Sequence, residues 1–246
     1  MSLNSLITTS WDDGHPLDFR VADLLVKYNL NGTFYIPKNN AENQVMDESM
    51  VQSLSKQFEI GGHTINHVSF DQVSQKQWEE EVNGCFTWLT ELTGIAPVCF
   101  CFPRGKYNSS AIDTVFKAGF KLARTTELMN ITTKPAVHKV IPTTIQIYDH
   151  SRLTYFKHLL KRGKFGNLFF WIKNNSEKEL DRLVGKYLAE VIATNGCLHL
   201  WGHSWEIEKY DLWNKLETIF KRISGVAEVD YVPNKYMENV TDKEHQ

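Results

Sequence analysis

The chain has little excess charge of either sign: 27 Lys and Arg stand against 29 Asp and Glu, a formal net charge of −2 over 246 residues. Without a basic excess it lacks the electrostatic footprint of a nucleic-acid binder, so no nucleic-acid partner is expected. No apolar run approaches the roughly 20 residues that a bilayer-spanning helix needs. The opening stretch MSLNSLITTS has neither the basic start nor the apolar core of a secretory signal, and a cytoplasmic location is the expectation. Repeats, low-complexity tracts and linker-like breaks in composition are also missing. A chain that is 42% hydrophobic and 23% charged reads as one ordinary globular domain, expected to span 1–246. Cysteine is scarce, and Cys85, Cys99, Cys101 and Cys197 stand in apolar surroundings rather than at loop spacings. Cys99 and Cys101 alternate with Phe100 and Phe102 as a buried strand requires, which favours reduced core thiols over a disulfide framework.

What is present is an alternation of short apolar runs with longer helical patterns. Strands are expected near Leu6–Ser10, Thr33–Ile36, Phe58–Gly61, Val98–Phe102, Lys121–Arg124, Val140–Ile147 and Cys197–Trp201. Helices are expected at Asp18–Tyr28, Glu48–Gln57, Gln72–Leu92, Ser110–Ala118, Lys178–Ile192 and Trp213–Ile223. Strand, helix, strand along the whole length predicts an α/β fold with parallel strands and crossover helices, closed or nearly closed into a barrel. One stretch breaks the compositional pattern: FKHLLKRGKFGNLFFWIKNN, Phe156 to Asn175, is both basic and aromatic. A surface helix and loop packing its apolar side on the barrel is the expectation there, with membrane contact through 156–175 as the minority reading.

In such a barrel, reactive groups collect where the strands end, because those loops share one rim. WDDGH follows the first expected strand, GGHTINH the third, FPRGKYN the fourth, ARTT the fifth and HLWGHSWE the last, so the titratable clusters gather on one rim. His63 and His67 are four apart, and one helical turn would aim both imidazoles at one point. A carboxylate from Asp12 or Asp13 would complete a His-His-carboxylate metal set with an open position. Neighbouring side chains at a strand end leave in different directions, so one aspartate can hold the cation while the other faces water as a general base. The bland alternative is a solvated Asp-Gly turn.

SWDDG, HTINH, FPRGKYN and HLWGHS, in that order across Ser10 to Ser204, resemble the polysaccharide deacetylase family, carbohydrate esterase family 4, also called the NodB homology domain. The resemblance implies a distorted (β/α) barrel of about seven parallel strands. It also implies metal-dependent removal of an N- or O-acetyl group from a sugar or glycan. By the family's motif positions Asp12 would be the catalytic base, Asp13, His63 and His67 the metal ligands, and His203 the general acid. Zinc is the expected cation, with cobalt, nickel or manganese able to take its place. The chain departs from the family twice. Cys101 stands where the family has the arginine that holds the catalytic aspartate, leaving Arg104 or Arg124 to reach Asp12. Trp201 stands where a leucine lines the acetyl pocket, and its bulk would either narrow the pocket toward formyl or acetyl or tilt the substrate. Pro103, Gly105, Tyr107, Trp201 and Trp205 are the expected substrate contacts, and Trp11 could join the two tryptophans in a sugar-stacking wall. His199 reads as a core histidine, Glu206 as a partner of His203 or Trp205 or a solvated acid, and Asn108 as a helix cap. His138, His150 and His158 have no motif around them and read as surface residues. Two alternatives remain: a hydrolase of cyclic amides or imides, or a sugar deformylase, on the same barrel; and a non-catalytic carbohydrate-binding protein.

Overall fold

A computed structural model describes residues 4–132, 139–161 and 165–238. Among them nine strands form one sheet: β1 (Ser5–Asp12), β2 (Thr33–Ile36), β3 (Glu59–Gly62), β4 (Cys99–Cys101), β5 (Leu122–Arg124), β6 (Val140–Ile141), β7 (Ile145–Gln146), β8 (Cys197–Gly202) and β9 (Val229–Tyr231). Every pairing is parallel, and the strand order is β6-β5-β4-β3-β2-β1-β8-β7, with β9 pairing the start of β1. The two ends of that order, β6 and β7, are joined by residues 142–144 alone. The four Cα steps from Ile141 to Ile145 span at most about 14 Å, so the sheet must curl until its edges approach. This is the expected distorted barrel.

Between the strands lie α1 (Asp18–Lys27), α2 (Glu48–Ser55), α3 (Gln75–Thr93), α4 (Ser109–Ala118), α5 (Arg152–Lys161), α6 (Phe165–Lys173), α7 (Leu180–Thr194), α8 (Ser204–Lys209) and α9 (Trp213–Ile223). Their starts follow local chemistry. Asp47 and Asn108 accept from the amides of Met50 and Ala111, and Ser74 with Gln77 forms a capping box ahead of α3. Gly94 closes α3 in the left-handed conformation. Each helix lays an apolar stripe on the barrel, such as Trp213, Leu216, Ile219, Phe220 and Ile223 of α9.

The expected strand over Val140–Ile147 is two strands, because Pro142 cannot donate to a ladder and the amides of Thr143 and Thr144 turn to Glu127 and His199. β9 was not expected. Trp11 is fully buried and packs edge-on against Phe220 in the core, so it is no part of a sugar-stacking wall. All four cysteines are buried and free, as anticipated.

Candidate active site

Since the strands are parallel, their carboxyl ends share one rim, and β1, β3, β4, β5, β7 and β8 each deliver polar groups to a single cavity of about 540 Å³ there. β1 delivers Asp12 as its last residue, and the chain then turns sharply: Asp13 lies in the left-handed region at φ 76°. That turn separates the two carboxylates.

β3 ends in Gly61 and Gly62 for a steric reason. A Cβ on Gly61 would stand 2.5 Å from the Tyr35 ring, and one on Gly62 2.6 Å from Phe120. His63 follows directly. The expected helical turn between His63 and His67 is absent: residues 63–69 are irregular, with Thr64 at φ 64° and His67 at φ 53°. A β-branched residue in that region is a marked outlier, of the kind concentrated at functional sites. The loop still brings the imidazoles together, with ring centroids 5.0 Å apart.

Asp13 Oδ1 lies 3.5 Å from His63 Nε2 and 3.0 Å from His67 Nε2. Burial pushes the Asp13 carboxyl up, but hydrogen bonds from His63 and His67 and the nearby charge of His203 hold it well below the usual range. The Trp205 indole N–H donates to Asp13 Oδ2 at 2.8 Å. His63 Nδ1 lies 2.8 Å from the carbonyl of Cys101, so its N–H donates there and its Nε2 faces Asp13. The donor atoms of Asp13, His63 and His67 lie within 4.8 Å of one another, and two imidazoles with one carboxylate suit a zinc-like divalent cation. Asp12, His63 and Cys101 also approach one another this closely. There, however, the Arg124 guanidinium is already 2.8 Å from Asp12 Oδ2 and 3.1 Å from Cys101 Sγ, where it would repel a second cation.

The two candidate arginines lie in different places. Arg104, at the exposed rim, pairs with Glu42 and not with Asp12. Arg124 is fully buried, lies over the Trp201 ring at 4.4 Å and donates to Asp12 Oδ2 and Ser10 Oγ. Cys101 and Arg124 are Cα partners across β4 and β5. The guanidinium therefore enters from the neighbouring strand, at the register where the family's arginine was expected on β4. Ser10 Oγ lies 2.8 Å from His199 Nε2, and His199 Nδ1 lies 3.0 Å from the Pro142 carbonyl. Burial and the Arg124 charge lower the His199 pKa to about 3, so it is neutral, donates from Nδ1 and accepts from Ser10. With Oδ2 engaged, Asp12 Oδ1 has no partner among the described residues.

On the opposite wall His203 Nδ1 lies 2.6 Å from Glu206 Oε2. Burial works against its charge, but Glu206 and then Asp13 and Asp12 raise its pKa overall. Glu206 also accepts from Gln146, whose Oε1 accepts from His150. Trp201 and Trp205 line the cavity, as do Gly105 and Arg104. Pro103 is buried and Tyr107 stacks on Phe102 at 5.0 Å; neither belongs to the lining. His150 and His158, expected at the surface, line the cavity together with Gln146 and Thr154, while His138 lies outside the described residues. The signal for Gln146 was its place at the carboxyl end of the expected Val140–Ile147 strand, on the rim where the other polar groups collect.

The comparisons with known proteins agree with the geometry. Residues 4–123 match the family model described as polysaccharide deacetylase. Over that stretch, just under half of the chain, the sequence is similar to the polysaccharide deacetylase family. The Bacillus subtilis (strain 168) protein YxkH, named for the same family, is 23% identical over 124 residues, covering 49% of this chain and 44% of that one. The chain thus aligns with under half the length of this curated relative. The fold extends further than the sequence match. A family 4 acetyl xylan esterase from Clostridium thermocellum, solved with a cobalt ion, superposes with TM-score 0.58 at 15% identity, covering 96% and 91% of the two chains. Puue allantoinase superposes with TM-score 0.69 at 12% identity, covering 97% and 90%. Over the second half, then, the likeness is one of fold alone.

Proposed function

We propose that this protein is a divalent-metal-dependent hydrolase that removes an acetyl group from the nitrogen of a sugar. The observation that carries the reading is the pairing, within one cavity, of the Asp13–His63–His67 donor set with a base and an acid on opposite sides. Asp13, His63 and His67 would hold the cation, which when bound polarises the scissile carbonyl and makes water easier to deprotonate. Asp12 acts as general base. Arg124 holds its Oδ2, so the remaining oxygen, Oδ1, is the one left to take the proton from the attacking water. His203, with Nδ1 anchored on Glu206 and its pKa raised, gives a proton from Nε2 to the departing amine. Each of these transfers contributes roughly a hundred- to ten-thousand-fold. Trp201 lines the cavity with its ring 4.4 Å from the Arg124 guanidinium and 5.6 Å from the His203 ring, and its bulk favours a small acyl group.

The test is acetate release from N-acetylated sugars and their oligomers by zinc- or cobalt-reconstituted protein, with Asp12→Asn as control. Release by the wild type, reduced about a thousandfold or more in the variant, is the expected result. The neighbouring allantoinase makes cyclic amides the comparison substrates: their opening without acetate release from any sugar would replace the deacetylase reading. Sugar binding without turnover of either class would leave a carbohydrate-binding scaffold.

A further inference from the structure

The α5 and α6 pair was expected to lay its apolar side on the barrel, and it does so only in part. Tyr155, Leu159, Leu168 and Trp171 are buried. Leu153, Phe156 and Leu160 of α5 and Phe165, Phe169 and Ile172 of α6 are instead 40–70% exposed. Their spacing, i, i+3, i+7 on one helix and i, i+4, i+7 on the other, gives each helix a second apolar row facing away from the core. Six large apolar side chains on two neighbouring helices exceed the scattered single exposures of ordinary surfaces. Charge here is as one-sided as it is balanced in the whole chain. Between Asp149 and Glu177 the sequence holds Arg152, Lys157, Lys161, Arg162, Lys164 and Lys173 and no acidic residue. Arg152, Lys157 and Lys173 are exposed on the same two helices.

We infer that α5 and α6 dock this protein onto an anionic lipid surface. Apolar rows that enter the headgroup region, flanked by cations that meet anionic lipid, are the two components such binding needs. A second copy of the chain fits poorly, because a two-fold contact would set this basic face against itself. The placement has a consequence for the cavity, since α5 also supplies Thr154 and His158 to its wall. Docking sets the cavity mouth beside the bilayer, where a headgroup-linked substrate would be presented. The inference rests on this surface alone and is independent of the acyl chemistry.

Full-length protein is sedimented with vesicles of phosphatidylcholine and with vesicles in which about a third of it is replaced by phosphatidylglycerol. Binding to the anionic vesicles alone, weakened by salt, is expected. Phe165→Ser/Phe169→Ser and Lys157→Glu/Lys173→Glu should each cut the partition coefficient about tenfold or more while leaving the thermal midpoint unchanged, since all four side chains are exposed. No partition, or partition indifferent to both variants, overturns the inference. So does a wild-type dimer in sedimentation equilibrium that Phe165→Ser/Phe169→Ser makes monomeric, if vesicle binding is absent.

Discussion

Arg124→Met is the most informative single perturbation, because it removes one partner of a buried pair and leaves the other in place. Arg124 is fully buried and Asp12 is only 3% exposed, so bulk water does not replace the lost contact. The arginine makes a 2.8 Å ion pair with Asp12, 3.1 Å contacts with Ser10 and Cys101, and a cation–π contact with Trp201. Breaking a buried pair from one side costs about 3–5 kcal/mol, chiefly because a charge is left uncompensated. The partnerless Nε of Arg124 reduces the loss somewhat, and methionine fills most of the stem's volume. In a chain of this size each kcal/mol moves the thermal midpoint by about 2–4 °C, so a fall on the order of ten degrees is expected. Turnover should fall about a hundredfold, as Asp12 loses the contact that aims it. The charge argument itself is tested by Asp12→Asn/Arg124→Met. If uncompensated charge dominates, the double variant recovers about 2 kcal/mol relative to the sum of the single variants in denaturant titrations. Strict additivity, or a midpoint within about two degrees of wild type for Arg124→Met, would refute the reasoning.

Three further outcomes follow from the site. Glu206→Gln removes the main partner that raises His203 against its burial, so the alkaline limb of kcat/KM, set by loss of the acid's proton, should move to lower pH; an unmoved limb would show that Glu206 does not tune the acid. His199 titrates near 6.5 unfolded but at about 3 folded, so between those values only the unfolded chain is protonated. Stability should therefore fall as pH drops through that window, by up to about 4–5 kcal/mol, and His199→Gln should flatten the slope in denaturant titrations at successive pH values. Trp205→Phe deletes the donor to Asp13 Oδ2 and should weaken zinc binding about 10–100-fold in competition with a chelating dye, whereas unchanged affinity would make Trp205 merely a cavity wall.

The ends of the strands were legible in the sequence because the chemistry there is concentrated in short words. SWDDG and HTINH placed Asp12, Asp13, His63 and His67, and the parallel alternation put them on one rim. The route between His63 and His67 was not legible: spacing of four suggests a helix, whereas left-handed Thr64 and His67 fold a loop to the same end. Nor could the sequence choose between Arg104 and Arg124, since that depends on which strand lies beside β4 and in what register. Pairing Cys101 with Arg124 settles it. His150, Thr154 and His158 were missed because their approach to the cavity depends on where α5 sits, a tertiary matter with no local signature. The three-residue β9 offers too few side chains for any periodicity to show.

The central claim is that the adjacent aspartates have separate tasks, Asp13 holding a cation and Asp12 moving a proton. Elemental analysis of protein purified without chelators, for the wild type, Asp12→Asn and His63→Ala/His67→Ala, tests it most directly. The account predicts about one equivalent of a divalent transition metal in the wild type and in Asp12→Asn, and none in the histidine double variant. Equal loss from Asp12→Asn and the histidine variant would contradict the division of tasks, and a wild type that stays empty after incubation with zinc, cobalt or nickel would contradict the metal site itself.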